Sequence, residues 1–76
     1  MDKIYNALQN SAMVRSVWRN TDGSLGFIHR DGLADEYLVQ APVDLGLWNV
    51  LLIEGGVCTR THKYNLASHL IKEFTN

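Results

Sequence analysis

The chain has 76 residues, of which 46% are hydrophobic and 20% are charged, and its formal net charge at pH 7 is −1. These values are typical of one small globular domain over residues 1–76 and exclude a disordered chain. They also exclude a strongly basic protein, so the overall charge gives no attraction to nucleic acid or to an anionic membrane.

A single cysteine, Cys58, excludes an intramolecular disulfide. Its place in a predicted strand indicates a small buried hydrophobe. No apolar stretch approaches the roughly 20 residues of a membrane-spanning helix, and the first residues lack the apolar core of a signal peptide. We therefore expect a protein of the reducing cytoplasm.

The first residues predict a short amphipathic helix over residues 2–10. Its apolar positions recur at helical spacing and are Met1, Ile4, Tyr5 and Leu8. Asp2 is a candidate for the side chain that caps the start of this helix.

A hairpin is predicted next. Two runs typical of β-strands, Met13 to Arg19 and Ser24 to Arg30, flank a turn that ends in Asp22-Gly23. This dipeptide favours a two-residue turn of type I′, because both residues tolerate positive φ. That turn places Trp18 opposite Phe27 and makes theirs the core face of the hairpin.

The same register collects basic residues on the outward face of the hairpin. Its members are Arg15, Val17 and Arg19 on the first strand and Gly26, Ile28 and Arg30 on the second. Arginines placed directly opposite each other destabilise a sheet mildly unless an acid or anion lies nearby. One interpretation is a solvated face, or a face paired with Glu36 of the next strand. The other is a surface for an anionic partner, because the planar guanidinium binds carboxylate or phosphate through two hydrogen bonds.

A third strand is expected at Tyr37-Leu38-Val39, before Pro42, which donates no hydrogen bond to a sheet. The following segment, from Val43 to Glu54, is ambiguous. The apolar residues Leu45, Trp48 and Leu52 would suit a helix. The β-branched residues Val50 and Ile53 and the Gly55-Gly56 turn favour a strand, which is our preferred interpretation.

The run from Trp48 to Glu54 is the most informative feature of the sequence. It is apolar at odd and even positions, and the Gly55-Gly56 turn joins it to a second β-like run, Val57 to His62. A strand of this kind requires cover on both faces. A chain of 76 residues has little material for covering two faces, so the pattern points to a partner or a second copy.

The last element is predicted as an amphipathic helix. Its apolar stripe consists of Leu66, Ala67, Leu70, Ile71 and Phe74. Asn65 is a candidate N-cap, and Lys72 lies in the last turn, where the helix dipole favours a cation. The expected fold is therefore an α+β domain. It has an antiparallel meander of about five strands, a short N-terminal helix, and a C-terminal amphipathic helix packed on one face.

Catalytic and metal-binding patterns are weak in this sequence. Cys58 and His62 share a strand face in the expected conformation, with Arg60 between them. They lie about 13 Å apart on an extended strand, which excludes direct contact and a shared metal ion. The chain has no glycine-rich phosphate loop. We expect no enzyme activity, no cofactor and no metal.

The preferred hypothesis is a small, non-catalytic protein-binding module that docks on another protein or on a second copy of itself. One form of it is an inhibitor or adaptor of phage or mobile-element type that acts by occlusion. The alternative is a nucleic-acid-binding protein that uses the arginine face, although no aromatic side chain is clearly displayed among the basic residues. The candidate binding residues are Arg15, Val17, Arg19, Ile28, Arg30 and Arg60. Membrane binding is not expected.

Overall fold

The computed structural model describes residues 1–44 and 46–76 of the chain. Within them the chain forms two helices, α1 (Asp2–Gln9) and α2 (Ala67–Thr75). It also forms five strands, β1 (Val14–Arg19), β2 (Leu25–His29), β3 (Glu36–Gln40), β4 (Trp48–Glu54) and β5 (Val57–Tyr64). All neighbouring strands pair antiparallel in the order β1-β2-β3-β4-β5. The expected α+β meander with a helix at each end is confirmed.

Both helices pack on the same face of the sheet. They contribute Ile4 and Leu8 from α1, and Leu70 and Phe74 from α2, to one buried hydrophobic cluster. The strands contribute Val14, Leu25, Phe27, Tyr37, Val39, Val50 and Leu52. The aromatic rings at its centre have specific geometry: Phe27 stacks on Tyr37 with centroids 4.9 Å apart, and Phe74 meets both edge-on. The C-terminal helix is therefore held by four of the five residues of its predicted apolar stripe, whereas the fifth, Leu66, is its exposed N-cap.

The helix starts differ from the predicted capping pattern. Met1 is the N-cap of α1 and Leu66 is the N-cap of α2, and neither forms a side-chain capping hydrogen bond. Asp2 instead forms an ion pair with Arg19 of β1 at 3.0 Å. The suggested capping roles of Asp2 and Asn65 are wrong, because α1 starts one residue earlier and α2 one residue later than those roles require.

The ambiguous segment forms a strand where the sequence favoured one, over Trp48–Glu54. Its pairing with β5 puts Glu54 opposite Val57, so Gly55 and Gly56 form the expected two-residue turn with positive φ. Leu45, which belonged to the helical alternative, lies outside the described residues.

The register of the first hairpin differs from the predicted one by one residue. Trp18 lies opposite Gly26, and Val17 lies opposite Phe27. The Asn20 N–H donates to the Ser24 carbonyl at 2.9 Å, which makes a three-residue loop that ends in Gly23 at φ 89°. A one-residue slip moves every side chain of one strand to the other face. Trp18, predicted to face the core, therefore lies on the opposite face.

A second irregularity lies in β5. Ile53 pairs with Cys58 and Leu52 pairs with Arg60, so Thr59 is the extra residue of a β-bulge. The bulge reverses the alternation of side chains along β5. Cys58 consequently faces away from the helices, whereas Arg60 and His62 lie on the helix side.

Candidate functional site

The face of the sheet opposite α1 and α2, here called the open face, carries a continuous row of side chains. The register joins five positions across all five strands: Trp18, Gly26, Leu38, Leu51 and Thr61. We call this line the middle row. Two further apolar side chains of the open face, Ile28 and Ile53, lie in the adjacent row. This row is on the side of the middle row that is nearer to the β4–β5 turn. The open face is therefore largely apolar at its centre.

The apolar side chains of the open face are only partly buried, in contrast to those that contact the helices. Leu38, Leu51 and Ile53 keep part of their surface exposed, as do Trp18 and Ile28. None of them belongs to the cluster of residues that packs against either helix. In a monomer a contiguous apolar surface of this kind is typical of an interaction site.

Trp18 and Gly26 together flatten the open face. A Cβ atom added at Gly26 would overlap the indole ring of Trp18, so the ring lies directly across the glycine backbone. Gly26 is required here by the close approach of a side chain and not by its backbone angles. The tryptophan covers what would otherwise be a gap between β1 and β3.

Polar groups lie on both sides of the middle row. On the side nearer the β3–β4 connection, Gln40, Asn49 and Lys63 form one register line. On the other side, Glu36 pairs with Ile53 of β4. The open face thus has one base in one outer row and one acid in the other. A polar rim around an apolar centre is the usual anatomy of a protein interface.

A groove of about 630 Å³ adjoins the open face at the β1–β2 turn and the β3–β4 connection. Gln40 and Asn49 line both the groove and the open face. Val43 and Leu47 also line it and are 78% and 37% exposed. The exposed apolar surface therefore continues past the ends of the strands.

A polar network around the buried residues His29 and Tyr37 supports the sheet from its other face. The Tyr37 hydroxyl donates to both carboxylate oxygens of Asp31, at 2.6 and 2.7 Å. His29 Nε2 donates to the Phe74 carbonyl at 2.9 Å, and its Nδ1 accepts from the Asp31 N–H at 3.1 Å. The network ties the end of α2 to β2 and β3. Its groups are satisfied by one another, which favours a structural role.

The pKa values in this network follow from burial and hydrogen bonding. Burial acts to raise the pKa of Asp31, but the hydrogen bonds from Tyr37 and from the Leu33 N–H outweigh it, so this pKa lies below its usual range. Burial, followed by the contact with Asp31, raises the pKa of Tyr37 well above its ordinary value. The carboxylate and the neutral phenol therefore persist together across the physiological pH range.

The candidate binding residues do not lie together. Arg19 lies on the helix side, paired with Asp2 and 4.3 Å above the Tyr5 ring. Arg30 Nε donates to the Ala12 carbonyl at 2.6 Å, beyond the end of β2. Arg15 lies at a register irregularity in β1, and Arg60 lies on β5, at the far edge of the sheet.

The prediction of one arginine face is therefore wrong, because the three-residue loop reverses the faces of β1. Val17 packs against the core, whereas Ile28 is the one candidate binding residue among the apolar side chains of the open face. In the described part of the chain, Arg19 forms an ion pair with Asp2, and no ion pair involves Glu36.

The Cys58–His62 pair is also separated by the structure. The bulge puts Cys58 on the open face and His62 on the helix side, so the expected shared face is wrong. Cys58 is exposed, contrary to the predicted buried position. Among the described residues, no three histidine, cysteine or acidic side chains are arranged to hold a metal ion.

Sequence reasoning missed Trp18 as a surface residue of the site. The signal was present: a glycine at the centre of the neighbouring strand gives a large aromatic ring room to lie across it.

No family model, curated protein or solved structure matches this chain. Neither α1 nor α2, the helices of the described residues, has the length and apolar character needed to cross a bilayer.

Proposed function

We propose that this chain is a small, non-catalytic protein-binding module that docks through its open face. The observation that carries the proposal is the middle row, in which Trp18, Leu38 and Leu51 form a partly exposed apolar line across the sheet. Burial of such side chains contributes about 25 cal/mol per Å² of apolar surface removed from water. A partner that covers the row therefore gains affinity without any rearrangement of the core.

The pattern of β4 supports this role. Val50 and Leu52 are covered by the chain itself, whereas Leu51 and Ile53 alternate with them on the open face. Partly exposed leucine and isoleucine at a sheet surface raise the risk of aggregation. Their presence is best explained if a binding partner covers them in the working state. Occlusion of a partner's surface, as an inhibitor or adaptor, is the simplest action open to a domain of this size.

The test is capture of partners by the immobilised protein from a native lysate of its source, compared between two variants. Leu38→Glu puts a charge in the middle row, and Ser68→Glu puts the same charge on the exposed surface of α2. We expect a discrete protein that is retained by the wild type and by Ser68→Glu but lost with Leu38→Glu. Equal retention of the protein by both variants would show that binding does not depend on the open face.

The same experiment tests the alternative of nucleic-acid binding. Because the arginines are dispersed over the structure, they do not form one surface for nucleic acid. Captures are repeated after nuclease treatment and at low and moderate salt. Contacts with phosphate release counterions, so nucleic-acid binding weakens steeply as salt rises. If the retained material is lost after nuclease treatment and at moderate salt, the partner is nucleic acid and not protein.

A further inference from the structure

The shape of the open face indicates what kind of partner covers it. Five strands about 4.8 Å apart, each presenting about five residues at 3.3 Å per residue, give a flat area on the order of 400 Å². Specific interfaces bury about 800 Å² of accessible surface per partner, and weak complexes bury less. A stable contact must therefore use the whole face together with its polar rim. A single strand or helix laid on it would cover only a strip.

A second sheet of the same size covers such a face completely. Sheets pack face to face about 10 Å apart, with mean strand directions within about 30° of each other. The ring of Trp18 lies across Gly26 and so fills the space above the glycine of the middle row. The net charge of −1 also puts little repulsion between two copies.

The charges at the rim select one orientation of two such faces. β3 is the central strand and carries Glu36, so a twofold axis along the strands would place this acid over itself. An axis along the middle row instead exchanges the two outer rows. The row of Gln40, Asn49 and Lys63 then faces the row that carries Glu36 in the other copy. The two copies of Glu36 are then kept apart. Each lies opposite the row of the other copy that carries two amides and a cation.

The edge strands of the sheet are poorly suited to pairing with a strand of another chain, which favours association through the open face. β1 has a register irregularity at Arg15, and β5 has a bulge at Thr59 followed by Arg60. Bulges and charged residues on edge strands are devices that hinder pairing with another chain. Both outer strands of the described sheet have them, whereas the middle row carries no charge.

We propose that the open face binds the open face of a second copy, through a twofold axis along the middle row, to form a symmetric dimer. This inference rests on the proposed function, because it names the partner of the same docking surface. In the dimer Leu51 lies against Leu51 of the other copy, as does Leu38 against Leu38. The two helical layers are then on the outside, with two sheets between them.

The test is the molecular mass in solution, measured by sedimentation equilibrium from about 1 to 300 µM, a range suited to an interface of modest size. The wild type should rise from the 8.6 kDa of one chain towards twice that mass. Leu51→Glu and Leu51→Lys should each weaken self-association at least about 100-fold, because each places like charges together at the centre of the interface. Ser68→Glu, on the exposed surface of α2, should associate as the wild type does.

The decisive arm is an equimolar mixture of Leu51→Glu and Leu51→Lys. The axis places these two side chains opposite each other, so the mixture should recover the dimer mass that each variant has lost. If the Leu51 variants fail to fold by circular dichroism, Thr61→Glu and Thr61→Lys replace them with the same expectations. Thr61 is exposed in the middle row and lies opposite Thr61 of the other copy across the axis.

Three results would overturn the dimer: a wild type that stays at 8.6 kDa throughout, folded variants that keep the dimer mass, or a mixture that stays monomeric. The proposed function fails separately. A monomeric wild type whose lysate partner is lost with Leu38→Glu overturns the dimer but leaves the docking surface. A monomeric wild type whose captures are insensitive to that variant overturns both.

Discussion

The two faces of the sheet carry similar apolar side chains and differ in what covers them. On β4, Val50 and Leu52 are at most 2% exposed beneath the helices, whereas Leu51 and Ile53 stay partly exposed on the open face. Two helices of eight and nine residues are sufficient for one face only. Hydrophobicity of a strand therefore measures how much cover it requires, and the available helices determine how much of that cover the chain itself supplies.

The largest expected difference between the faces concerns neighbouring leucines of one strand. Leu52→Ala leaves a cavity in the core and should lower the free energy of unfolding by about 2–5 kcal/mol. Leu51→Ala removes the same atoms from a partly exposed site and should cost less than about half as much in the monomer. Urea denaturation at low protein concentration measures both. Equal losses would show that the open face is packed as tightly as the core.

The next largest effect concerns the network under the core face. Tyr37→Phe removes a hydroxyl that donates to the charged Asp31, a bond that contributes about 2 kcal/mol. Circular dichroism melts of the variant and of Leu51→Ala compare a buried polar contact with an open-face contact. A melting temperature equal to that of the wild type would mean that the phenol is not held by this carboxylate.

The pH dependence sharpens the same contrast, because the perturbed tyrosines lie on the core side. Burial raises the pKa of Tyr37 above its ordinary value of 10.0, and burial followed by Glu73 raises the pKa of Tyr64 to about 12. A group with a raised folded-state pKa contributes stability that is complete below the unfolded pKa and is lost as pH rises through the folded value. Stability should therefore fall above about pH 10, in the window set by these two groups.

Denaturation midpoints between pH 8 and 12 measure this loss. Tyr37→Phe should show a shallower decline than the wild type, because one of the two titrating groups is gone. Parallel curves for the two proteins would contradict the assignment of the alkaline loss to Tyr37.

A smaller effect is expected on the open face at Gly26. Gly26→Ala adds a carbon where the Trp18 ring lies, so the ring must move at a cost of about 1–3 kcal/mol. Trp18→Ala relieves the overlap, and the double variant should therefore be more stable than the sum of the two single losses predicts. A double-mutant cycle by urea denaturation measures this coupling, and additive losses would contradict the contact.

The smallest effect is expected for the ion pair at the sheet edge. Asp2 and Arg19 have side chains 88% and 48% exposed, so Asp2→Asn should change stability by less than about 1 kcal/mol. The difference from the wild type should shrink further as salt is added, because salt screens exposed charges. Thermal melts at low and high salt measure it, and a large loss independent of salt would point to a buried role for this pair.

The sequence was sufficient for the elements because their patterns are local. The stripe of α2, the two-glycine turn and the run Tyr37-Leu38-Val39 before Pro42 each predicted the correct element. The face of each residue in β1 was not predictable, because it depends on whether the loop before Ser24 has two or three residues. Asp22 accepts hydrogen bonds from both the N–H and the hydroxyl of Ser24, at 2.9 and 2.6 Å, in the three-residue loop. Asp-Gly alone does not reveal this preference.

The candidate site depended on the same choice. A one-residue slip in β1 moved Trp18 onto the open face, and the bulge at Thr59 separated Cys58 from His62. The prediction that β4 presents apolar side chains to both faces did not depend on register, since every position from Val50 to Ile53 is apolar. Cover from outside the monomer stays a prediction. Arguments from composition along one strand were thus more robust than arguments from pairing between strands.

The most direct test of a covered open face is the accessibility of Trp18 as assembly proceeds. The variant Trp48→Phe leaves Trp18 as the single tryptophan, because the chain has two. Acrylamide quenching of its fluorescence is measured from the lowest to the highest protein concentration at which mass is recorded. If the open faces meet in the dimer, quenching should fall and the emission should shift to the blue as the dimer forms. Unchanged quenching in a species of dimer mass would place the contact elsewhere and contradict the central claim.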